Sequence, residues 1–474
     1  MKTQDTHDAR FSDAYEEALD HLYATIDLEQ KRLDRYAANK LDQTRPKRLM
    51  AALQAPHDQF PSIHIAGTKG KGSVAAMCAA AFRAAGLKVG LYTSPHMVDF
   101  RERVRILTPT DSEGLIDKAA FVRMMRRIRA VEAEVPGITW FEMITAIAFL
   151  YFAEQAVDVA VVEVGLGGRL DATNVLTPLV SVITSLSLDH TYFLGNTLAE
   201  IAYEKGGIIK PGVPVVTASQ VPEALARLQQ IAQERHAPLC VIGRDYVYEP
   251  LAHGPHGQEI EITRPQHAPI RLHVALAGAH QQENGTVALA ALHTVQPHFP
   301  ALTDEAIAAG MTGVSWHGRL EILHEAPDTP TVLVDCAHNE DSAEKLRQAL
   351  LDEYQYERLH LIFGVSADKD IGGMMHHLFS ITKHVIATQS THPRAITSAE
   401  LAQLAGELGY TVETAVDVET AVRHAWATAG PHDLICITGS IFIVGDLLNQ
   451  WDSLQSQLIQ TGQGNHDEAT IAQE

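Results

Sequence analysis

A turn rich in glycine and lysine, residues 67–73, is the part of the sequence most suited to chemistry. It reads Gly-Thr-Lys-Gly-Lys-Gly-Ser and lies between a short apolar run, Ile63 to Ala66, and an alanine-rich segment that predicts a helix over 74–85. A strand, a glycine turn and a helix in this order can direct backbone N–H groups at an anion. Lys71 adds a positive charge, and Ser73 adds a hydroxyl that suits a phosphate or a bound Mg²⁺. The pattern therefore favours phosphate binding.

The spacing differs from the common phosphate-loop motif G-x-x-x-x-G-K-[ST]. That motif requires a glycine at position 65, which is Ile65, and a hydroxyl directly after Lys71, which is followed by Gly72. Two interpretations remain at this point. The turn is a phosphate loop of another lineage, or it is a glycine-rich connection with no ligand.

Polar residues also stand where other predicted strands end. Glu163 lies inside the apolar run Val157 to Val164, where an uncompensated carboxylate would be costly. A metal ion or a buried ion pair would each satisfy it, and the nearby loop favours the metal. Ser94 and His190 follow two further strands. Since ligands bind at the carboxyl ends of strands in open α/β sheets, Ser94 and His190 are candidate Mg²⁺ ligands beside Glu163, although His190 alone would be an ordinary histidine.

Two other patterns have ordinary explanations. Lys205 precedes two glycines at a predicted helix end, where a pair with Glu204 or contact with the helix terminus would account for it. The turn Gly165 to Gly168 is similar to a dinucleotide fingerprint, but Leu170 stands where the third glycine belongs. A dinucleotide-dependent oxidoreductase is therefore disfavoured.

The segments that must position these residues alternate between strands and helices, which predicts an α/β fold with parallel sheets. A chain of 474 residues is long enough for two or three domains. We expect an N-terminal P-loop-type domain over 1–314, with helices over 1–60 and a small antiparallel addition near 245–275. A smaller Rossmann-like α/β domain is expected over 315–458, and the polar tail 459–474 is expected to be disordered.

Composition excludes several classes of function. The net charge of −21 argues against general nucleic-acid binding. No run of about 18 apolar residues lacks charge or glycine, so no membrane span is expected, and the polar N-terminus is neither a signal nor a transit peptide. The cysteines are widely spaced, as is typical of reduced core residues in a cytoplasmic protein: Cys78, Cys240, Cys336 and Cys436.

Ordered motifs extend the pattern over most of residues 60–450. They are HIAGTKGKGS (64–73), YTSPH (92–96), FRER (100–103), EVGLGGRLDATN (163–174), LDHTYFLGNTLAEIAYEKGGIIKPG (188–212), LAGAHQQEN (276–284), WHGRLE (316–321), DCAHN (335–339), SADKD (366–370) and TGS (438–440). In this order they resemble the folylpolyglutamate synthase/dihydrofolate synthase family of Mur-type amide ligases. The resemblance implies an ATP- and Mg²⁺-dependent enzyme that adds L-glutamate to a folate through an acyl phosphate. The acceptor would be dihydropteroate, a folate with a growing polyglutamate tail, or both.

The resemblance also implies roles for individual residues, with the nucleotide between the two domains. The residues that would hold ATP are Gly67, Thr68, Gly70, Lys71, Gly72, Ser73, Asn284, Arg319 and Asp335. The residues that would bind one or two Mg²⁺ ions are Ser94, Glu163, His190 and a carbamylated Lys205. The residues expected to act in catalysis are Lys71, Lys205, His190 and His338.

The implied partners are small molecules only, namely a folate or dihydropteroate, L-glutamate and ATP. A cytoplasmic monomer that binds neither nucleic acid nor membrane is expected. One rival is a Mur-type ligase for another carboxylate, such as a cell-wall precursor. It would usually carry a separate N-terminal domain, for which the roughly 60 residues ahead of the loop are too few. A catalytically inactive ATP-binding regulator is the other rival, and the intact set Lys71, Glu163, His190 and Lys205 argues against it.

Three departures from the family pattern concern the site and the substrate. Family members commonly have asparagine where this chain has Lys69, and proline where it has His317. Ahead of residue 60, Ile26-Asp27-Leu28-Glu29-Gln30 replaces the usual glycine-leucine pair in a region that helps to shape the pterin pocket. The choice of folate substrate is therefore the least determined part of the prediction.

Overall fold

The computed structural model describes residues 2–25, 44–189 and 191–460. The predicted metal ligand His190 and the departure at 26–30 lie outside these ranges. A helix covers 451–460, so the first two residues of the predicted disordered tail are helical, and 461–474 lie outside the described part of the chain. No helix of the described residues is both long and apolar enough to span a bilayer.

The N-terminal half is built on a seven-stranded sheet in the order β3-β2-β4-β1-β5-β6-β7. Neighbouring strands pair in parallel except β2 and β3, which are antiparallel. The apolar run Val157 to Val164 contains β4, and the two further strands predicted ahead of Ser94 and His190 are β2 and β5. The bounds of the strands are β1 Ser62–Ala66, β2 Val89–Tyr92, β3 Val104–Leu107, β4 Val159–Glu163, β5 Val180–Ile183, β6 Val215–Thr217 and β7 Leu239–Val241.

Helices bury both faces of this sheet, which explains its apolar strands. Along β4, Val159 and Val161 pack into one core with the helices at 71–84 and 280–295. Ala160 and Val162 pack into a second core with the N-terminal helices. The helices of this half are α1 Lys2–Ala24, α2 Thr44–Ala52, α3 Lys71–Ala84, α4 Lys118–Val131, α5 Trp140–Glu154, α6 Thr191–Leu194, α7 Leu198–Gly206, α8 Pro222–Glu234, α9 His280–Val295 and α10 Asp304–Thr312.

The predicted antiparallel addition near 245–275 is a three-stranded sheet of β8 Val247–Gly254, β9 Gly257–Thr263 and β10 Ile270–Val274. It packs on α9. This helix begins at His280. Its first turns bury Gln281, Gln282 and Asn284, and these polar side chains hide the apolar periodicity of a buried helix.

The C-terminal half forms a six-stranded sheet in the order β11-β12-β16-β13-β14-β15. Its strands are parallel except β11, which pairs antiparallel with β12 at one edge. The strands are β11 Glu321–Ala326, β12 Thr329–Val334, β13 Leu359–Phe363, β14 His384–Ala387, β15 Glu413–Thr414 and β16 Leu434–Thr438. The helices are α11 Glu340–Asp352, α12 Ile371–Phe379, α13 Ser398–Glu407, α14 Val418–Thr428 and α15 Ile441–Leu448, followed by 451–460. The mixed α/β architecture with two parallel sheets agrees with the predicted fold class.

Candidate active site

The glycine loop connects β1 to α3, and two of its glycines are required by close contacts. Gly67 has φ 154°, and a Cβ there would lie 1.8 Å from Thr184 Oγ1. Gly70 has φ 86°, and a Cβ there would lie 2.3 Å from Asn284 Oδ1. Both positions combine a backbone conformation that favours glycine with no room for a side chain. The sequence therefore fixes the shape of the loop through these two residues.

Hydrogen bonds fasten the loop to the segment that follows β5. The N–H groups of Thr68 and Lys69 donate to the carbonyl oxygen of Ser185 at 2.9 and 3.2 Å. The Thr68 hydroxyl lies 3.2 Å from both the carbonyl oxygen and the N–H of Ser187. Lys69 Nζ lies 3.6 Å from Asp189 Oδ2. The loop thus holds the segment that leads to His190.

Lys71 and Glu163 form an ion pair across the carboxyl edge of the sheet. Lys71 starts α3, and its Nζ lies 3.8 Å from Glu163 Oε1 at the end of β4. Glu163 Oε2 accepts a hydrogen bond of 3.1 Å from the Ser94 N–H. Burial raises the pKa of Glu163, and the Lys71 charge and the Ser94 N–H oppose that rise. Of the two explanations for the buried carboxylate, the structure contains the ion pair, and it also brings the predicted metal ligands Ser94 and Glu163 together.

Lys205 lies in α7 beneath the glycine loop. Its side chain is buried, and Nζ donates a 2.8 Å hydrogen bond to the carbonyl oxygen of Gly67. Glu204 pairs with Arg169 at 2.8 Å, so the ordinary explanation of a Lys205–Glu204 pair is wrong. Burial, reinforced by the Lys71 charge, lowers the pKa of Lys205 to about 7. A large share of this amine is therefore neutral near neutral pH.

The second domain brings its predicted nucleotide residues towards the same edge of the sheet, and we call the space between the two domains at this edge the cleft. Asp335 follows β12, and its carboxylate accepts from the N–H groups of Leu320 and Ala337 at 3.0 and 2.8 Å. Burial raises the pKa of Asp335, whereas the Arg319 charge lowers it and also acts on Glu163 of the first domain. Arg319 thus lies between the two domains.

His338 and Asn284 complete the predicted set. His338 Nδ1 lies 2.9 Å from the carbonyl oxygen of Cys336, so Nδ1 carries the proton and Nε2 is the acceptor. Burial lowers the pKa of His338 to about 4. Asn284 donates to Gln281 Oε1 at 2.9 Å, and Gln281 donates to Ser73 Oγ at 3.3 Å, which links α9 to the start of α3.

No three histidine, cysteine, aspartate or glutamate side chains converge as a metal site within residues 2–25, 44–189 and 191–460. The predicted Mg²⁺ set contains one residue of these types there, namely Glu163. Its other members are a hydroxyl, a lysine and His190.

Comparisons with known proteins agree with the motifs. Residues 65–292 match the family model described as Mur ligase middle domain, and residues 318–441 match the one described as Mur ligase, glutamate ligase domain. The chain is 34% identical over 415 residues to the dihydrofolate synthase/folylpolyglutamate synthase of Bacillus subtilis, which covers 85% of this chain and 93% of that protein. The chain belongs to the dihydrofolate synthase/folylpolyglutamate synthase family. The resemblance inferred from the motifs is confirmed.

Solved structures of this family share the fold. The Mycobacterium tuberculosis folylpolyglutamate synthase complexed with ADP superposes with a TM-score of 0.78 at 33% identity, covering 92% of this chain and 97% of that one. The Escherichia coli protein FolC, solved in complex with DHPP and ADP, gives a TM-score of 0.80 at 29% identity over 92% and 98% of the two chains. The relatives therefore align over nearly the whole of both domains.

Some residues that support the site were not predicted from the sequence. Glu102 holds the loop after Ser94 by accepting from the N–H groups of Met97, Val98 and Asp99 at 2.8, 2.9 and 2.7 Å. Met97 Sδ lies 3.7 Å from Sγ of Cys336 in the second domain. The loop that carries Ser94 therefore contacts the residue next to Asp335. The motif FRER contained the signal, but its spacing does not show which N–H groups Glu102 meets.

A second missed group orders the turn after Glu163. Asp171 accepts from the Leu166 N–H at 3.0 Å and from the Thr173 hydroxyl at 2.5 Å. Because that hydroxyl donates to Asp171, His64 Nε2 must donate to Thr173 Oγ1, from which it lies 2.8 Å away. Burial lowers the pKa of His64 to about 3, so this histidine is neutral. The glycine turn at 165–168 is thus held by a buried chain of hydrogen bonds.

Proposed function

We propose that this chain is an ATP-dependent ligase that joins L-glutamate to a folate. The observation that carries the proposal is the cleft, where Lys71 and Glu163 pair at 3.8 Å and the Arg319 charge of the second domain acts on both Glu163 and Asp335. Family membership supports the reaction, and relatives solved with ADP support a nucleotide in this cleft. Dihydropteroate and folates with a polyglutamate tail are the proposed acceptors.

The loop suits nucleotide phosphates. Its two positive-φ glycines allow the close approach of an anion, and α3, 14 residues long, presents its N-terminus to the loop. We infer that the loop and Lys71 hold the phosphates. Asn284, Arg319 and Asp335 would bind the rest of the nucleotide, as the family pattern suggests.

The donor set also suits Mg²⁺, because Glu163 offers a buried carboxylate beside Ser94 at the carboxyl edge of the sheet. We propose Ser94, Glu163 and His190 as ligands for one or two ions, and the part of His190 rests on the motif alone. When bound, the ion would neutralise phosphate charge during transfer.

Carbamylation of Lys205 is part of the proposal. The reaction joins a neutral amine to CO₂ with loss of one proton, so it needs an unprotonated lysine. Burial supplies that condition at Lys205, whose pKa is lowered to about 7. The product would be a carboxylate-like ligand next to Gly67. Carbon-13 NMR of protein equilibrated with labelled bicarbonate should show one carbamate signal that is absent from Lys205→Ala, and no such signal would refute the modification.

The chemistry explains why the site lacks a nucleophilic triad in its described residues. A folate carboxylate attacks the terminal phosphate of ATP and forms an acyl phosphate, and ADP leaves. The amine of glutamate then attacks the acyl carbon, the C–O bond to phosphate breaks, and the amine loses a proton. Positioning and charge neutralisation carry both steps. The second domain would exclude water that hydrolyses the acyl phosphate, with His338 Nε2 as an acceptor nitrogen in the cleft.

We also propose the domain boundaries, the oligomeric state and the location of the protein. Residues 1–314 and 315–458 would be the two domains, since the predicted boundary falls between α10 and β11. We propose a monomer that acts in the cytoplasm on small molecules, as the family resemblance suggests.

Release of ADP tests the function directly. The protein is mixed with ATP, Mg²⁺ and L-glutamate and, in separate arms, with dihydropteroate, tetrahydrofolate, a folate diglutamate and a nucleotide-linked cell-wall precursor. We expect glutamate-dependent ADP release with at least one folate and its loss in Lys71→Ala. Release only with the cell-wall precursor would move the assignment to another Mur-type ligase. Release with none of the acceptors would overturn the proposal.

A further inference from the structure

Lys69 is a second lysine of the glycine loop, two residues before Lys71. Its side chain is 21% exposed, and its Nζ lies 3.6 Å from Asp189 Oδ2. Lys71 stands in a similar relation to Glu163, at 3.8 Å. Charge-assisted hydrogen bonds are shorter, about 2.7–2.9 Å. Each lysine therefore lies in a loose ion pair with a carboxylate at the edge of the sheet.

The two lysines of the loop pair with different carboxylates. Lys71 is next to Glu163, whereas the charge of Lys69 reaches the second domain, where it lowers the pKa of His338. Burial lowers the pKa of Lys69. The charges of Asp341 and Lys345, both in α11 of the second domain, also act on this pKa. Lys69 therefore stands between the loop and the second domain.

Anchoring the loop does not require the Lys69 ammonium. The backbone N–H groups of Thr68 and Lys69 already bind Ser185, and the Thr68 hydroxyl already binds Ser187. These bonds would persist with asparagine at position 69. A largely buried ammonium in a loose pair is costly unless a second anion completes its surroundings. An anionic ligand of the loop would supply that anion.

We propose that Lys69 is a second phosphate-binding lysine, which exchanges Asp189 for the terminal phosphate of the nucleotide and binds it on the side opposite Lys71. This inference rests on the proposed function. During transfer the charge spreads over the oxygens of the terminal phosphoryl group, so a cation on each side stabilises it more than one cation does. Asparagine could donate a hydrogen bond there but would bring no charge. This chain should therefore prefer a triphosphate over a diphosphate more strongly than a Lys69→Asn variant does.

Calorimetric titration with ADP and with the non-hydrolysable triphosphate AMPPCP, both with Mg²⁺, tests the proposal on the full chain. Lys69→Asn should bind AMPPCP about tenfold more weakly, as expected for loss of a charged hydrogen bond, and ADP less than about threefold more weakly. Lys69→Arg should bind AMPPCP within about threefold of the wild type, because it restores the charge. The matched control is Lys345→Met. It removes a lysine charge that acts on Lys69 and is paired with Asp341 at 2.9 Å. It should change both affinities by less than about twofold.

Different results separate the two proposals. Equal weakening for ADP and AMPPCP with a lower melting temperature would show that Lys69 only supports the loop, and it would overturn the inference. Unchanged nucleotide affinities in Lys69→Asn would also overturn the inference about Lys69. The ligase assignment would still stand in that case if the wild-type protein releases ADP. If the wild-type protein binds neither nucleotide, both the ligase assignment and the role of Lys69 are wrong.

Discussion

The ion pair between Lys71 and Glu163 should respond unequally to removal of either partner. The Glu163 side chain is 5% exposed, whereas that of Lys71 is 18% exposed and has a flexible stem. Lys71→Met leaves a carboxylate inside the sheet edge with the Ser94 N–H still donating to it. Glu163→Gln removes the buried charge and leaves an ammonium that can turn towards water. The first variant should therefore be the less stable one.

The magnitude follows from the separation and the burial. Two unit charges 3.8 Å apart attract by about 4 kcal/mol at an effective dielectric constant of 20. Removing one partner of a buried pair typically costs about 3–5 kcal/mol, because the other charge is left uncompensated. We expect Lys71→Met to lower the free energy of unfolding by about 3 kcal/mol and Glu163→Gln by less than about 1 kcal/mol. The double variant should match Glu163→Gln, since no buried charge then remains.

Urea unfolding without nucleotide or Mg²⁺ measures these differences, with Lys383→Met as the control for loss of an exposed lysine charge. Both site variants should also lose glutamate-dependent ADP release. Glu163→Gln would then be inactive at nearly wild-type stability, which separates its chemical role from a structural one. Equal losses of stability in the two single variants, or a Lys71→Met protein as stable as the control, would refute the reasoning.

Two further predictions concern buried charges. Arg45 Nε contacts both carboxylate oxygens of Glu142 at 2.9 and 2.8 Å, with side chains 11% and 7% exposed, so Arg45→Met should cost about 3–5 kcal/mol in urea unfolding. The exposed neighbour Lys47→Met should cost less than about 0.5 kcal/mol, and a similar small loss for Arg45→Met would contradict the prediction. For Lys205, the pKa near 7 lies below the ordinary 10.5, so between these values the unfolded chain binds more protons and stability rises with pH. In CO₂-free buffer the wild type should gain about 3 kcal/mol relative to Lys205→Met between pH 6.5 and 9.5, and parallel curves would show that Lys205 keeps its ordinary pKa.

The parts of the fold that the sequence predicts well are those with one dominant local signal. Strands such as β4 are β-branched and buried on both faces, so their runs are continuous. The edge strand β11, in contrast, was missed. Its sequence Glu-Ile-Leu-His-Glu-Ala is half-buried and broken by charges, and it is a strand because β12 lies beside it. Tertiary pairing, which no local pattern encodes, decides such segments.

The residues of the candidate site also differ in how well the sequence predicts them. The glycine loop and Glu163 could be found from residue type and spacing, because a carboxylate in an apolar strand and glycines before a helix are rare without a reason. Their partners could not. Glu163 meets Lys71, and Lys205 meets the Gly67 carbonyl, through contacts between elements far apart in the chain. The local explanation for Lys205, a pair with Glu204, failed because Arg169 takes that carboxylate.

These contacts share one arrangement of charges. Each lysine of the loop lies against a carboxylate beside a proposed metal ligand, Lys71 against Glu163 and Lys69 against Asp189. Phosphates that draw the two ammonium groups away would remove one neighbouring positive charge from each carboxylate, and a divalent cation would then restore the charge balance. Nucleotide binding should therefore strengthen Mg²⁺ binding, and by linkage Mg²⁺ should strengthen nucleotide binding by the same factor. A site built from paired charges needs both ligands at once, because either alone would leave charge buried at the edge of the sheet.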